Sequence, residues 1–130
     1  MKTTEAKKKL DLLLSNFNKK VFKKKGVCLP KIRVKFIGPD DCDAYFIEGT
    51  NRRKPVIELS KHFLIDNRFV MKDLYDAYSH EVAHYYLWYK YSKKIEDKDT
   101  LYNKWADHED REFVSTNSTC SKIAKRIGGK

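Results

Sequence analysis

Apolar residues recur along this chain at two spacings, and the change from one to the other divides it into elements. Leu10, Leu13, Leu14, Phe17 and Val21 repeat every three or four positions, which predicts a helix over residues 4–25 with one buried stripe. Gly26 is the natural stop. The spacing then drops to two. Ile32-Arg33-Val34-Lys35-Phe36, opened by Pro30, alternates apolar and basic residues as a half-buried strand does. Gly38-Pro39-Asp40-Asp41 reads as a turn, Ala44–Ile47 as a second strand, Glu48-Gly49-Thr50-Asn51 as a polar turn and Pro55–Leu59 as a third strand. Pro55 suits the start of a strand or an edge better than a centre. Such short connections make an antiparallel meander the simplest expectation.

Helical spacing returns after Ser60, which can cap a short turn through Leu64. His62 in that turn reads as a surface or packing residue. A long helix is predicted from about Phe69 to Tyr91, with Leu74, Tyr78, Val82, Tyr85 and Trp88 on one stripe. Tyr75, Tyr86, Tyr89 and Tyr91 read as packing residues with hydroxyls at the surface. Residues 92–99 form a charged connector, and a final helix is expected from Asp107 to Ile123, before Gly128-Gly129. The expectation is a single α+β domain over residues 1–130. It comprises an N-terminal helix, a three-stranded antiparallel meander, a central helix and a C-terminal helix, with 1–4 and 126–130 as disordered tails.

The central helix carries the chemistry. Tyr78-Ser79-His80-Glu81-Val82-Ala83-His84-Tyr85 contains His-Glu-x-x-His. Residues four apart lie one above the other on a helix, so His80 and His84 can turn two imidazoles toward one ion. Glu81, one position round, can reach a water on that ion without being a ligand. A catalytic zinc takes three protein ligands and leaves one position open. A third histidine at the compact spacing is excluded, because the chain has Leu87 and Lys90 where that motif requires Gly and His. Glu109 and Glu112 are candidates. His108 is the better one, as the only histidine downstream of the motif and a neutral donor suited to zinc.

These residues, in this order, resemble the SprT-like zinc metalloprotease domain, the group that includes the Spartan DNA–protein crosslink proteases. The resemblance runs over roughly residues 5–125. It is carried by the basic first helix, the strand ending Pro-Val-Ile-Glu-Leu-Ser, the His-Glu-x-x-His helix and Asp107-His108-Glu109-Asp110-Arg111-Glu112-Phe113. His108, Glu112 and Phe113 match the family's second signature, but Glu109 stands where glycine is usual. The resemblance implies a zincin-like fold and an endopeptidase often acting on DNA-associated proteins. It implies zinc on His80, His84 and His108, with Glu81 as general base. The other reading is a zinc-containing nucleic-acid-binding protein with little or no protease activity.

Charge adds a possible partner. The net charge is +10, and residues 1–25 hold nine Lys against Glu5 and Asp11. Two readings of Lys19, Lys20, Lys23 and Lys24 stand side by side: a solvated face that keeps the protein soluble, and a nucleic-acid footprint, DNA above all. No run approaches the ~20 apolar residues of a membrane span, and Met1–Glu5 lacks the apolar core of a signal peptide. Cys28, Cys42 and Cys120 are odd in number and widely spaced, which points to buried free thiols in a reducing compartment. The expected setting is therefore cytoplasmic or nucleoid-associated (host cytoplasm if viral), with a monomer acting on a protein or peptide.

Overall fold

The computed structural model describes residues 1–38, 44–65, 69–92 and 104–128. Helix α1, Thr3–Phe17, buries Ala6, Leu10, Leu13, Leu14 and Phe17 along the expected stripe. It does not continue as one α-helix to residue 25. From Asn18 it widens into a π turn, Asn18–Phe22, then tightens into a 3₁₀ turn, Lys23–Lys25. Both Val21 and Phe22 are thereby buried, and Phe22 stacks on Tyr86 with centroids 4.8 Å apart. The Asn18 side chain holds the returning chain, donating to the Leu29 carbonyl at 3.0 Å and accepting its N–H at 2.8 Å. Gly26 stops the helix in the left-handed region, φ 73°, where a side chain would be strained.

Strands β1 (Arg33–Ile37), β2 (Ala44–Ile47) and β3 (Val56–Ser60) form one sheet in the order β1-β3-β2. It is mixed, not an antiparallel meander: β1 pairs with β3 in parallel, while β2 pairs with β3 antiparallel. Alternation dictates which face of a strand is buried but not which strand lies beside it. β3 carries Ile57 and Leu59, both fully buried, and flanking it on both sides covers them best. The β1–β2 connection, residues 38–43, is long enough at ~3.3 Å per residue to cross the ~10 Å of two strand spacings. Pro55 precedes β3, so a proline at the start of a strand is compatible with a central one.

Ser60 Oγ accepts the His62 N–H at 3.1 Å and opens the short helix α2, His62–Ile65. Helix α3, Met71–Tyr91, starts where Asp73 reaches back to the Val70 N–H at 2.8 Å. Its stripe of Leu74, Tyr78, Val82 and Tyr85 is buried against α1 and the sheet, with Trp88 half-buried. Tyr75 and Tyr86 are buried too, and the Tyr86 hydroxyl lies inside rather than at the surface. A 3₁₀ turn at Lys104–Ala106 precedes α4, Arg111–Gly128. Helical backbone thus enters both end segments expected as tails. Cys120 is buried, but Cys28 is exposed in the loop before β1. Cys42, most of the turn at 38–41 and the connector beyond Ser92 lie outside the described residues. Among the described residues no helix is long and apolar enough to cross a membrane.

Candidate metal centre

His80 and His84 project from one face of α3, their ring centroids 4.9 Å apart. The same face carries Ala83 and Leu87, which bury Phe113 of α4. That packing is what delivers the third imidazole. Phe113 stacks on His84 at 4.5 Å and meets His80 edge-on at 5.2 Å, with His108 5.4 Å away. His108 comes within 5.2 Å of His80 and 4.8 Å of His84, ring to ring. One nitrogen from each of the three histidines lies within 4.8 Å of the others, so the cluster can hold a metal ion.

His108 is not on the helix, as a start at Asp107 had implied. Asp107 Oδ1 accepts the Glu109 N–H at 2.8 Å, and the Asp110 N–H returns to the Asp107 carbonyl at 3.3 Å, closing a turn. Asp110 then caps α4, its Oδ1 accepting the N–H groups of Glu112 at 3.0 Å and Phe113 at 3.3 Å. The turn holds His108 over the imidazoles of α3. No described non-glycine residue has positive φ, so Glu109 needs none of the freedom that glycine would supply at its position.

The carboxylates weighed against His108 point elsewhere. Glu112 accepts from Lys90 Nζ at 2.8 Å and from the Tyr91 hydroxyl at 2.8 Å, fastening α4 to the end of α3. Glu109 is exposed and His62 half-buried, and both are outside the histidine cluster. Lys19, Lys20, Lys23 and Lys24 are all exposed and none lines the cleft above the imidazoles.

Electrostatics favour neutral donors. Burial lowers the His84 pKa to about 4, against a raising contact from the Trp105 carbonyl, with His80 and His108 lowering it further. Burial, then His108, also lowers that of His80. His84 Nδ1 pairs with the Trp105 carbonyl. Since a carbonyl only accepts, Nδ1 carries the proton and Nε2 keeps its lone pair for a cation. His84 Nε2 is 3.1 Å from His108 Nε2. Two nitrogens at ~2.0–2.1 Å from one tetrahedral zinc would be ~3.3 Å apart, so the pair fits with little adjustment.

Glu81 is only 4 % exposed, and its Oε2 has no hydrogen-bond partner among the described residues. Burial holds its carboxyl up at about 8. An orphaned buried oxygen beside three imidazoles costs free energy that a cation and its water would recover. The donor set and this oxygen together fit a metal.

The cleft over these groups has a volume of about 670 Å³. Ala44, Tyr45 and Phe46 of β2 form one wall, and Trp105 and Glu48 close an end through a 2.9 Å hydrogen bond from indole Nε1 to Oε2. Trp105, Glu48 and Phe113's contact with the rings are the parts that reading the sequence missed. Trp105 follows a stretch with no periodicity, and a backbone carbonyl leaves no trace in residue type. Comparison with protein-family models, with curated proteins and with solved structures gives no match. The residues of the cleft carry the functional argument alone.

Proposed function

We propose that this chain is a zinc-dependent endopeptidase of the SprT-like, zincin-like type. The observation that carries the reading is the buried Glu81 Oε2, without a hydrogen-bond partner among the described residues, in one cleft with three clustered imidazoles. His80, His84 and His108 would hold the ion. Zinc bound there supplies a Lewis acid that lowers the pKa of water toward ~7. A cation held there would oppose the burial that raises the Glu81 pKa and so favour its carboxylate. Glu81 would accept a proton from the attacking water and return it to the leaving amine. His80 and His84, whose pKa values burial lowers, are ready to coordinate without first losing protons.

The cleft suits an extended polypeptide. β2 is an edge of the sheet, and Ala44–Phe46 line the wall beside the histidines. A substrate strand pairing with β2 through its backbone would lie across Glu81, with Tyr45 at the rim. Backbone pairing does not depend on side-chain identity, so cleavage of loosely folded protein with little sequence preference is expected.

Glu81→Gln is the test. The variant should bind zinc as tightly as the parent while peptide cleavage falls ~10²–10⁴-fold, the usual worth of a general base. Cleavage at the parent rate by a zinc-loaded Glu81→Gln protein would sink the assignment.

A further inference from the structure

A second groove, of about 1110 Å³, shares no lining residue with the histidine cleft. Its rim is basic. Lys7 and Lys8 come from α1, Lys31, Arg33 and Lys35 from β1 and its approach, and Arg53 and Lys54 from the β2–β3 hairpin. The carboxylates in the lining are Asp11 and Glu58. Asp11 is bound to Lys31 at 3.2 Å, and Glu58 faces Lys35 in the β1–β3 register. Among the described residues of the lining, Lys7, Lys8, Arg33, Arg53 and Lys54 therefore have no opposing carboxylate, an excess equal to half the chain's net charge of +10.

The floor is different in kind. It is made of Pro55 with the half-buried rings of Trp88 and Tyr89, backed by Tyr85, which is itself only 2 % exposed. These rings are held in place. The Tyr85 hydroxyl donates to the Pro30 carbonyl at 2.9 Å, and Trp88 packs on Phe46 with centroids 5.8 Å apart. Gly49 lets the hairpin close on the indole, since a Cβ there would fall 3.0 Å from Trp88 Cη2 and 2.9 Å from Pro55 Cδ. Four elements, α1, β1, the β2–β3 hairpin and α3, thus build one concavity with an apolar, aromatic base and a cationic edge.

We propose that this groove binds single-stranded nucleic acid. Phosphodiesters meet the cations of the rim, and unpaired bases lie on Trp88, Tyr89 and Pro55 below. A duplex turns its base faces inward and leaves such a floor unused. An acidic peptide satisfies the rim but brings no planar groups to the rings. The groove, not the Lys19–Lys24 run, is the nucleic-acid site: none of Lys19, Lys20, Lys23 and Lys24 lines it. The proposal does not depend on a metal at the histidines.

The test is fluorescence polarisation with a labelled twelve-nucleotide oligothymidine, titrated at several salt concentrations. Lys8→Glu/Arg33→Glu/Lys54→Glu should bind at least ~10-fold more weakly, with a log K against log salt slope smaller by about 2, the share of three cations on a single strand. A variant with Lys19, Lys20, Lys23 and Lys24 changed to Gln should keep most of its affinity. Circular dichroism confirms that both variants are folded. The proposal is overturned if the parent protein shows no salt-dependent binding, or if the helix-end variant loses binding and the groove variant keeps it. It is equally overturned if duplex DNA, polyglutamate or phosphatidylserine vesicles bind more tightly than the single strand.

Discussion

His84 Nε2 lies 3.1 Å from His108 Nε2, although 24 positions separate the two residues along the chain. One sits on a helix face and the other on a turn, and Phe113 packs against both rings. The third donor therefore depends on how α3 and α4 meet, not on a motif spacing.

His108→Ala should reduce zinc affinity by at least ~100-fold, more than the ~10–100-fold that outer partners of a metal are worth. Competition with a colorimetric chelator measures it. Undiminished affinity would take His108 out of the metal site.

Trp105 links the histidine cluster to the sheet, its carbonyl on His84 Nδ1 and its indole on Glu48. Glu48→Ala frees the indole and loosens that carbonyl. Zinc affinity should fall ~10-fold while the metal-free melting temperature barely moves, because the Glu48 bond is exposed. Equal effects on both would reduce the link to ordinary surface packing.

Phe113 is 2 % exposed and supports both the α3–α4 contact and the imidazoles. Phe113→Ala should cost ~3–5 kcal/mol in urea unfolding and weaken zinc binding in the fraction that remains folded. Val114→Ala, on the exposed side of the same helix, should fall within ~0.5 kcal/mol of the parent.

Glu112 gives the fold an acid limit. Burial alone would raise its pKa, but hydrogen bonds from Lys90 and Tyr91 outweigh it and hold the carboxyl below the ordinary 4.5. Its contribution is complete above the unfolded value and is lost as pH falls through the lower folded value. Its partner Lys90 is raised, chiefly by the hydrogen bond to Glu112, so its own share is lost only in strong alkali. Parent and Glu112→Gln should differ by roughly 1 kcal/mol in urea unfolding at neutral pH and converge below pH ~4. A constant gap across that window would mean that the carboxylate is not what the clamp depends on.

Some of this was local and therefore readable from residue order. The His80–His84 geometry needs only helical periodicity, the buried rows of α1, β1 and α3 need only a 3.6- or 2-residue repeat, and Gly26 ends its helix for reasons within its own backbone. Other features depend on residues far apart. Alternation in Arg33–Ile37 says which face is wet but not that β3 lies alongside in parallel, because strands of either direction share the same repeat. The turn at Asp107–Asp110 takes its place from Phe113 seated on Ala83 and Leu87. The basic groove joins α1, β1, the hairpin and α3. The conspicuous lysine run at 19–24 hid it, since charge is counted along the chain but felt through space. Residue order by itself determined the kinds of element, their buried faces, the His80–His84 pair and His108 as the candidate third imidazole. Tertiary packing alone decided the strand order, the approach of His108 and the two clefts, because each needs side chains that meet only after the helices close on the sheet.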